Sequence, residues 1–219
     1  MRLGWIAAVV LTALVGCQTN KKPISIREVV DDVEGSHSIV DTKITKYEKL
    51  VDQFPEEPKH RERLAAFYWQ QENHQRALEE LEIARKLDPE NSKYDYMEGQ
   101  IQQAIGNYNF AEVSYQRVIA KLPGDKFTGP HYDLADLYLE TDQTQKAKAE
   151  LEKCLEIDPS DPLAHFYLGT IAYETKKYDL TITHYERYME LGGKRFHDLV
   201  RRRLMAIQPE LGRKRYTGE

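Results

Sequence analysis

Histidine, aspartate and cysteine are the residues of this chain that could hold a metal ion or act as catalytic groups. The stretch HYDLAD brings His131, Asp133 and Asp136 close together, but the predicted helix directs their side chains to different sides and offers no third ligand. His165 and His184 fall in different predicted helices, which favours surface or packing roles over metal binding. The chain also lacks a glycine-rich phosphate loop and a nucleophile motif. We therefore expect no enzymatic activity, no cofactor, no metal and no small-molecule substrate.

Cys17 is the remaining candidate for chemistry, and it ends an apolar run. The run covers residues 3–16, only 14 residues, and follows the basic side chain of Arg2. A helix that spans a bilayer needs about 20 apolar residues. A basic start, a short apolar middle and small residues before a cut site are typical of a secretory signal instead. An ordinary cleaved signal with a chance cysteine, or an uncleaved short anchor, would share this pattern.

The four residues Leu14, Val15, Gly16 and Cys17 resemble the lipobox of bacterial lipoproteins. The resemblance implies a signal peptide over residues 1–16, cleavage before Cys17, a diacylglyceryl group on its thiol, and an acyl chain such as palmitate on the new amine. Two or more chains give a stable membrane anchor, whereas one is marginal. The residue after the cysteine, Gln18, favours the periplasmic face of the outer membrane by the same resemblance. If Cys17 carries lipid, Cys154 has no partner within the chain, and we expect a buried, inert thiol.

A repeat of about 34 residues organises the rest of the chain. Apolar helical segments stop at Pro55, Pro89, Pro123, Pro159 and Gly193, at intervals of 34, 34, 36 and 34 residues. Other positions recur in phase with these stops. Twelve residues before the last four stops lie the small residues Ala77, Ala111, Ala147 and Thr181, and eight before lie the large residues Leu81, Tyr115, Leu151 and Tyr185.

This pattern resembles the tetratricopeptide repeat, a helix pair in which large residues of one helix pack on small residues of the next. The resemblance covers residues 58–193 as four repeats, at about 58–91, 92–125, 128–161 and 162–195. It implies an all-α fold, a right-handed superhelix of stacked antiparallel helix pairs. The chain departs from the pattern at several positions: Glu98 replaces Leu, Gln102 and Ala172 replace Tyr, Thr181 replaces Ala, and PGDKF adds two residues after the second repeat.

The segments that flank the repeats have their own predicted roles. Residues 17–40 are polar and are interpreted as a tether. Residues 41–55 and residues 195–207 carry apolar side chains at helical spacing, which predicts capping helices at the two ends of the array. Residues 208–219 form a basic tail.

Repeats of this family bind partners along a groove lined by the first helix of each pair. The resemblance therefore implies a groove for a protein or peptide, and large aromatic side chains are the usual anchors of such interfaces. Packing between helices is the alternative role for several of these side chains. The predicted groove residues are Trp69, Tyr96, Met97, Gln100, Tyr132, Asp136, Leu139, Phe166, Tyr167 and Tyr173.

The charge of the chain is uneven. Residues 194–219 have a net charge of +5, whereas residues 17–193 have a net charge of −11. Such asymmetry indicates an acidic partner, anionic headgroups or acidic cell-wall polymers, unless the basic residues form only a solvated face. Nucleic acid fits the charge but not an exported location. The predicted basic patch consists of Arg201, Arg202, Arg203, Arg213, Lys214 and Arg215.

We therefore expect a bacterial lipoprotein, anchored to the outer membrane, that acts as a non-catalytic scaffold for an envelope protein or peptide. In layout it resembles the pilotins of type IV pilus secretins and the helical lipoprotein of the outer-membrane β-barrel assembly machine. The alternative is a structural tether that joins the membrane to the cell wall, or to another anionic surface, through the basic C-terminus.

Overall fold

The computed structural model describes residues 37–124 and 126–217, with side chains described over 40–124 and 126–207. These residues form ten helices and no strand, which confirms the predicted all-α class. Within them, no helix combines the length and the apolar character needed to cross a membrane. The helices are α1 (His37–Gln53), α2 (Pro58–Gln70), α3 (His74–Leu87), α4 (Ser92–Ala104), α5 (Tyr108–Lys121), α6 (Gly129–Glu140), α7 (Thr144–Ile157), α8 (Pro162–Glu174), α9 (Tyr178–Glu190) and α10 (His197–Thr217).

The turn inside each helix pair has the same backbone geometry. Two residues after the first helix, the chain enters the left-handed region, with φ between 58° and 79° at Glu72, Gly106, Asp142 and Lys176. The following amide then bonds back to the helix, as Asn73 N donates to the Tyr68 carbonyl over 2.8 Å. This left-handed stop satisfies carbonyls that the end of a helix leaves unpaired. The 34-residue period is therefore present in the turns as well as in the helices.

The chain divides into two compact units, and the boundary falls inside α6. The N-terminal unit ends at Asp133 and the C-terminal unit begins at Leu134. In the N-terminal unit, each of the helices α1 to α4 packs on the next. In the C-terminal unit, each of the helices α7 to α9 does the same.

Two of the large residues that the repeat predicted, Tyr115 and Tyr185, pack on glycines of the preceding helix. In the N-terminal unit, a Cβ atom on Gly99 would lie 2.6 Å from the Tyr115 ring. In the C-terminal unit, a Cβ atom on Gly169 would lie 2.5 Å from the Tyr185 ring. Because real Cβ atoms do not approach so closely, glycine is required where α4 meets α5 and where α8 meets α9. A polar residue is accommodated too: Thr181 is fully buried and its hydroxyl donates to the Lys177 carbonyl.

α1 covers the first repeat with one apolar face. Val40, Ile44 and Val51 are buried in a core that continues into α2 and α3, with Leu64 and Leu81 among its members. The helix begins at His37, four residues before the predicted start at 41.

α10 covers the last repeat, and it is longer than predicted. Val200 and Ile207 are buried, and the Phe196 ring stacks on Phe166 with ring centroids 4.0 Å apart. The Phe196 amide also donates to the Tyr188 hydroxyl over 2.7 Å. The backbone stays helical through Thr217, whereas the sequence predicted an end at residue 207 and a separate basic tail.

Candidate functional site

The predicted groove residues divide into a buried set and a partly exposed set. Trp69, Tyr96, Gln100 and Tyr173 keep part of their surface accessible. These four are the predicted groove residues that can meet a partner directly in this structure. The buried set consists of Met97, Tyr132, Asp136, Leu139, Phe166 and Tyr167.

Phe166 and Met97 illustrate why the buried set fails as a contact surface. Phe166 is 0% exposed and packs against Tyr185, Tyr188 and Phe196. Met97 belongs to the apolar core of the N-terminal unit. A side chain that is enclosed in the core offers no surface to a partner, so these residues stabilise the repeats. The repeat pattern could not show this for Phe166, because the residue that covers it, Phe196, lies outside the repeats.

Three partly exposed polar side chains meet in the N-terminal unit. We call Tyr96, Gln100 and Asp133 the Tyr96 site. Tyr96 and Gln100 are four residues apart on α4 and therefore share one side of that helix. The Tyr96 hydroxyl donates to the Asp133 carboxylate, and the Gln100 amide nitrogen lies 3.5 Å from Asp133 Oδ2. The site thus joins α4 to the first half of α6.

The two-residue insertion before α6 helps to position the Tyr96 site. Phe127, which closes the inserted stretch, meets the Tyr96 ring edge to face with centroids 5.3 Å apart. A Cβ atom on Gly129 would lie 2.5 Å from the Phe127 ring and 3.1 Å from the Tyr96 hydroxyl oxygen. Glycine at the start of α6 therefore lets both aromatic side chains approach the backbone. In the sequence, the signal for this arrangement is the presence of Phe127 and Gly129 at the end of the insertion and just after it.

The electrostatics of the Tyr96 site are unusual because none of the described cationic side chains pairs with its acid. Burial raises the pKa of Asp133 to about 6, and the hydrogen bonds from Tyr96 and Gln100 oppose this increase. Among the ion pairs of the described side chains, none includes Asp133. At neutral pH the carboxylate is therefore ionised and partly desolvated, with no ion-pair partner among the described residues.

A second acid in the N-terminal unit has the opposite environment. Asp95 is fully buried and pairs with Arg85 at 3.3 Å, with Arg117 at 2.9 Å and with Lys121 at 2.6 Å. Glu98, which replaces the Leu of the repeat pattern, also binds Arg85 and Arg117. All of these charges are paired within the unit, so the cluster is a structural network that replaces an apolar contact.

The predicted basic patch divides into a docked arginine and exposed ones. Arg203 reaches back to α8 and α9: its guanidinium donates to Thr170 and Tyr185 over 3.1 and 2.7 Å and pairs with Glu174 at 3.2 Å. It also lies 4.7 Å from the centroid of the Tyr173 ring. Arg203 is thus part of the packing of α10. Its prediction as a member of an exposed basic patch is wrong.

The structure describes the side chains of only some of the other predicted functional residues. Arg201 and Arg202 are exposed on α10. The side chains of Arg213, Lys214 and Arg215 lie outside the described residues, as does Cys17 with the predicted signal peptide.

Comparison with known proteins supports the nature of the repeats. Residues 44–92 and residues 130–161 each match a model described as tetratricopeptide repeat. A comparison with curated protein sequences gives no significant match. The sequence comparisons therefore identify repeats in the chain without assigning a function.

Solved structures with a similar fold cover most of the chain. MamA shares 20% identity, with 79% of this chain and 96% of MamA covered and a TM-score of 0.63. PilF from Pseudomonas aeruginosa shares 14% identity, with 100% and 95% covered and a TM-score of 0.64. YrrB, described as a TPR protein with an unusual peptide-binding site, shares 16% identity, with 74% and 92% covered and a TM-score of 0.55. At these identities the similarity establishes the fold alone. Two segments of the chain thus match tetratricopeptide repeats, and its described helix pairs share the fold of a TPR protein.

Proposed function

We propose that this chain is a lipid-anchored scaffold, on the periplasmic face of a bacterial outer membrane, that binds a segment of another envelope protein at the Tyr96 site. Tetratricopeptide repeats form extended surfaces for binding proteins and peptides. The scaffold would be non-catalytic and would act by holding its partner or by assisting the assembly of that partner.

The observation that carries this proposal is the uncompensated carboxylate of Asp133. An ionised acid that is partly desolvated is stabilised when a cation reaches it. Tyr96 beside it supplies an aromatic ring, and a cationic side chain gains further from the face of such a ring. The partner segment therefore presents Lys or Arg to Asp133. Trp69 on α2 provides a second partly exposed aromatic surface in the same unit. The peptide-binding site described for YrrB is a precedent for a bound peptide within this fold.

The membrane anchor rests on the sequence around Cys17. The short apolar run, the small residues before the cysteine and the polar residues after it are the features of a lipoprotein signal. A tether of residues 17–36 would separate the lipid from α1. Anchoring limits the search for a partner to the envelope and raises the local concentration of the scaffold there.

The proposal is tested by capture of partners from native envelopes. The full chain would be cross-linked, purified and analysed by mass spectrometry beside a Trp69→Ala/Asp133→Asn variant. We expect the variant to lose one envelope protein that the original chain recovers. The same spectra give the mass of the N-terminal peptide, and an acylated Cys17 is the expected result.

The control is Phe110→Ala, which removes an exposed aromatic side chain from α5, a second helix of its pair. This variant should recover the partner as the original chain does. If the Trp69→Ala/Asp133→Asn variant recovers the same proteins as the control, the Tyr96 site does not bind the partner. An unmodified Cys17 in envelope-derived protein would contradict the lipid anchor.

A second candidate function is that of a tether that binds an anionic surface through α10. The observation that favours it is the exposure of Arg201, Arg202 and Met205 on this helix. Basic side chains next to an apolar one are typical of helices that lie on anionic surfaces.

A further inference from the structure

Two histidines of the fourth repeat face each other across a helix pair. His165 lies on α8 and His184 lies on α9, and their Nδ1 atoms are 3.1 Å apart. The ring centroids are 5.4 Å apart and the rings are tilted by 41°. Without another ligand, this distance corresponds to one ring donating a proton to the other. One Nδ1 therefore carries the proton and the other accepts it, and the two nitrogens point at each other.

Both rings favour the neutral form that binds metal ions. Burial lowers the pKa of His165, with a smaller contribution from Arg187, against the Pro159 carbonyl and Asp161. Burial also lowers the pKa of His184, and the nearby His165 and Lys148 act in the same direction, against Glu152. At neutral pH both imidazoles are therefore uncharged, and a neutral imidazole is the form that binds a metal ion.

We propose that His165 and His184 form a binding site for a divalent transition-metal ion such as Zn²⁺, which links α8 to α9. Two imidazole nitrogens on a tetrahedral Zn²⁺ with bonds of about 2.0–2.1 Å lie about 3.3 Å apart. The observed 3.1 Å is close to this value, and to bind the ion each ring has to turn so that its lone pair points to the metal instead of to the other ring. The ion would replace the shared proton between the rings.

The remaining requirements of the metal site are an acceptor for the ring proton and further ligands for the ion. A metal ion at Nδ1 leaves the ring proton on Nε2, and ligating histidines usually give that proton to a carbonyl or carboxylate. The Pro159 carbonyl, which raises the pKa of His165, is a nearby acceptor of this kind. Within the described residues, no group of three potential ligand side chains is found, so water fills the remaining positions.

The charges around the pair are balanced, so the cation meets little net repulsion. Asp161 acts on His165 and Glu152 acts on His184, and both are acids. The bases Arg187 and Lys148 oppose them, but Lys148 is paired with Glu152 at 3.2 Å. A site with two protein ligands in this setting holds metal less tightly than a four-ligand structural site.

The test is a calorimetric titration of the full chain with Zn²⁺. The protein would carry no histidine tag and would be freed of metal with a chelator. His165→Gln and His184→Gln should each weaken the tightest binding event by at least about tenfold, because glutamine keeps a polar side chain but no strong ligand. The matched control is His197→Gln, which removes an exposed histidine at the start of α10 and should leave this event unchanged. Equal affinity in all four proteins would overturn the proposal.

A second measurement does not depend on the folding of a variant. Imidazole also binds Cu²⁺, and the electron paramagnetic resonance spectrum of bound Cu²⁺ reports its nitrogen ligands. One equivalent of Cu²⁺ on the original chain should give coupling to two imidazole nitrogens, and His184→Gln should reduce this to one. A spectrum of the original chain without coupling to two imidazole nitrogens would exclude the paired-histidine site.

Discussion

At the scale of single residues, the Asp133 carboxyl links stability to pH. Its pKa is about 6 in the fold and 3.8 in the absence of structure, so between these values the folded state binds more protons than the unfolded state. The contribution of Asp133 to stability therefore decreases as the pH rises through this window. Above it, the ionised carboxylate destabilises the fold.

The first prediction is that Asp133→Asn stabilises the protein at neutral pH. The pKa difference corresponds to at most about 3 kcal/mol, and the loss of acceptor strength towards Tyr96 and Gln100 reduces the gain. We expect the variant to be about 1–2 kcal/mol more stable at about pH 7.5 and no more stable at about pH 3.5. Urea unfolding across this range measures the difference.

The comparison for this prediction is Asp52→Asn, which changes an exposed acid near the end of α1. Its stability difference should stay within about 0.5 kcal/mol of zero at each pH. A gain for Asp133→Asn that persists undiminished at low pH would show that ionisation is not its cause.

The environments of Asp133 and Asp95 mark the limit of prediction at this scale. The sequence showed Asp133 only as part of a weak ligand group with His131 and Asp136, and Glu98 as a departure from the repeat. It could not show that Arg85 and Arg117 converge on Glu98 and Asp95, because these arginines come from neighbouring helices and the repeat pattern assigns them no contact. Ion-pair partners depend on three-dimensional positions that helical spacing alone does not determine.

At the scale of elements, Arg203 explains how the array of repeats ends. It occupies the position of Gly169 one repeat further on, since 34 residues separate them. In the four repeats this position is small, so that a large residue of the following helix can pack on it. A long arginine leaves no such space, and its guanidinium binds Tyr185 of the preceding pair instead. α10 therefore closes the C-terminal unit.

The second prediction concerns the closure of the C-terminal unit by α10. Arg203→Ala removes hydrogen bonds to Thr170 and Tyr185 and an ion pair with Glu174, and its side chain is 14% exposed. A hydrogen bond to a charged group contributes about 1.5–3 kcal/mol, so we expect a loss of this order. Thermal or urea unfolding measures it, and hydrogen exchange should show faster exchange in α10.

Arg201→Ala is the matched change on the same helix, since its side chain is exposed. Its effect on stability should remain within about 0.5 kcal/mol. Equal losses for both arginines would mean that α10 is stabilised by its charge in general and not by the docking of Arg203.

The helices of the repeats were predictable because three signals agree: the stops, the small positions and the large positions. The capping helices have no repeat to fix their ends, and the structure starts α1 earlier and ends α10 later than predicted. The same limit explains the burial of Phe166. Its position in the repeat pattern resembles those of exposed groove residues, but the segment before α10 supplies the ring that covers it.

At the scale of the whole molecule, charge separates the two candidate functions. The net charge of −11 over residues 17–193 suits a cationic partner, in agreement with the proposed role of Asp133. The net charge of +5 over residues 194–219 suits an anionic surface. The two properties are compatible, because a scaffold that binds a partner in one unit can contact a surface through α10.

The last prediction tests the anionic surface. In a full chain with Cys17→Ser, which removes the lipid attachment site, Arg201→Glu and Arg202→Glu together should weaken binding to vesicles of anionic phospholipid several-fold at about 50 mM salt. Raising the salt should weaken the unswapped chain in the same way, because ions screen exposed charges. Arg203 is left unchanged, so that the packing of α10 is preserved.

The control for this prediction swaps the exposed Lys49 and Lys59 to Glu, which changes the net charge equally but in the N-terminal unit. If only overall charge mattered, both double swaps would weaken binding alike. Loss in the α10 swap alone identifies this helix as the contact surface. Vesicle binding that neither swap nor salt reduces would contradict a tether that acts through the basic face, and would leave the Tyr96 site and the lipid anchor to account for the function.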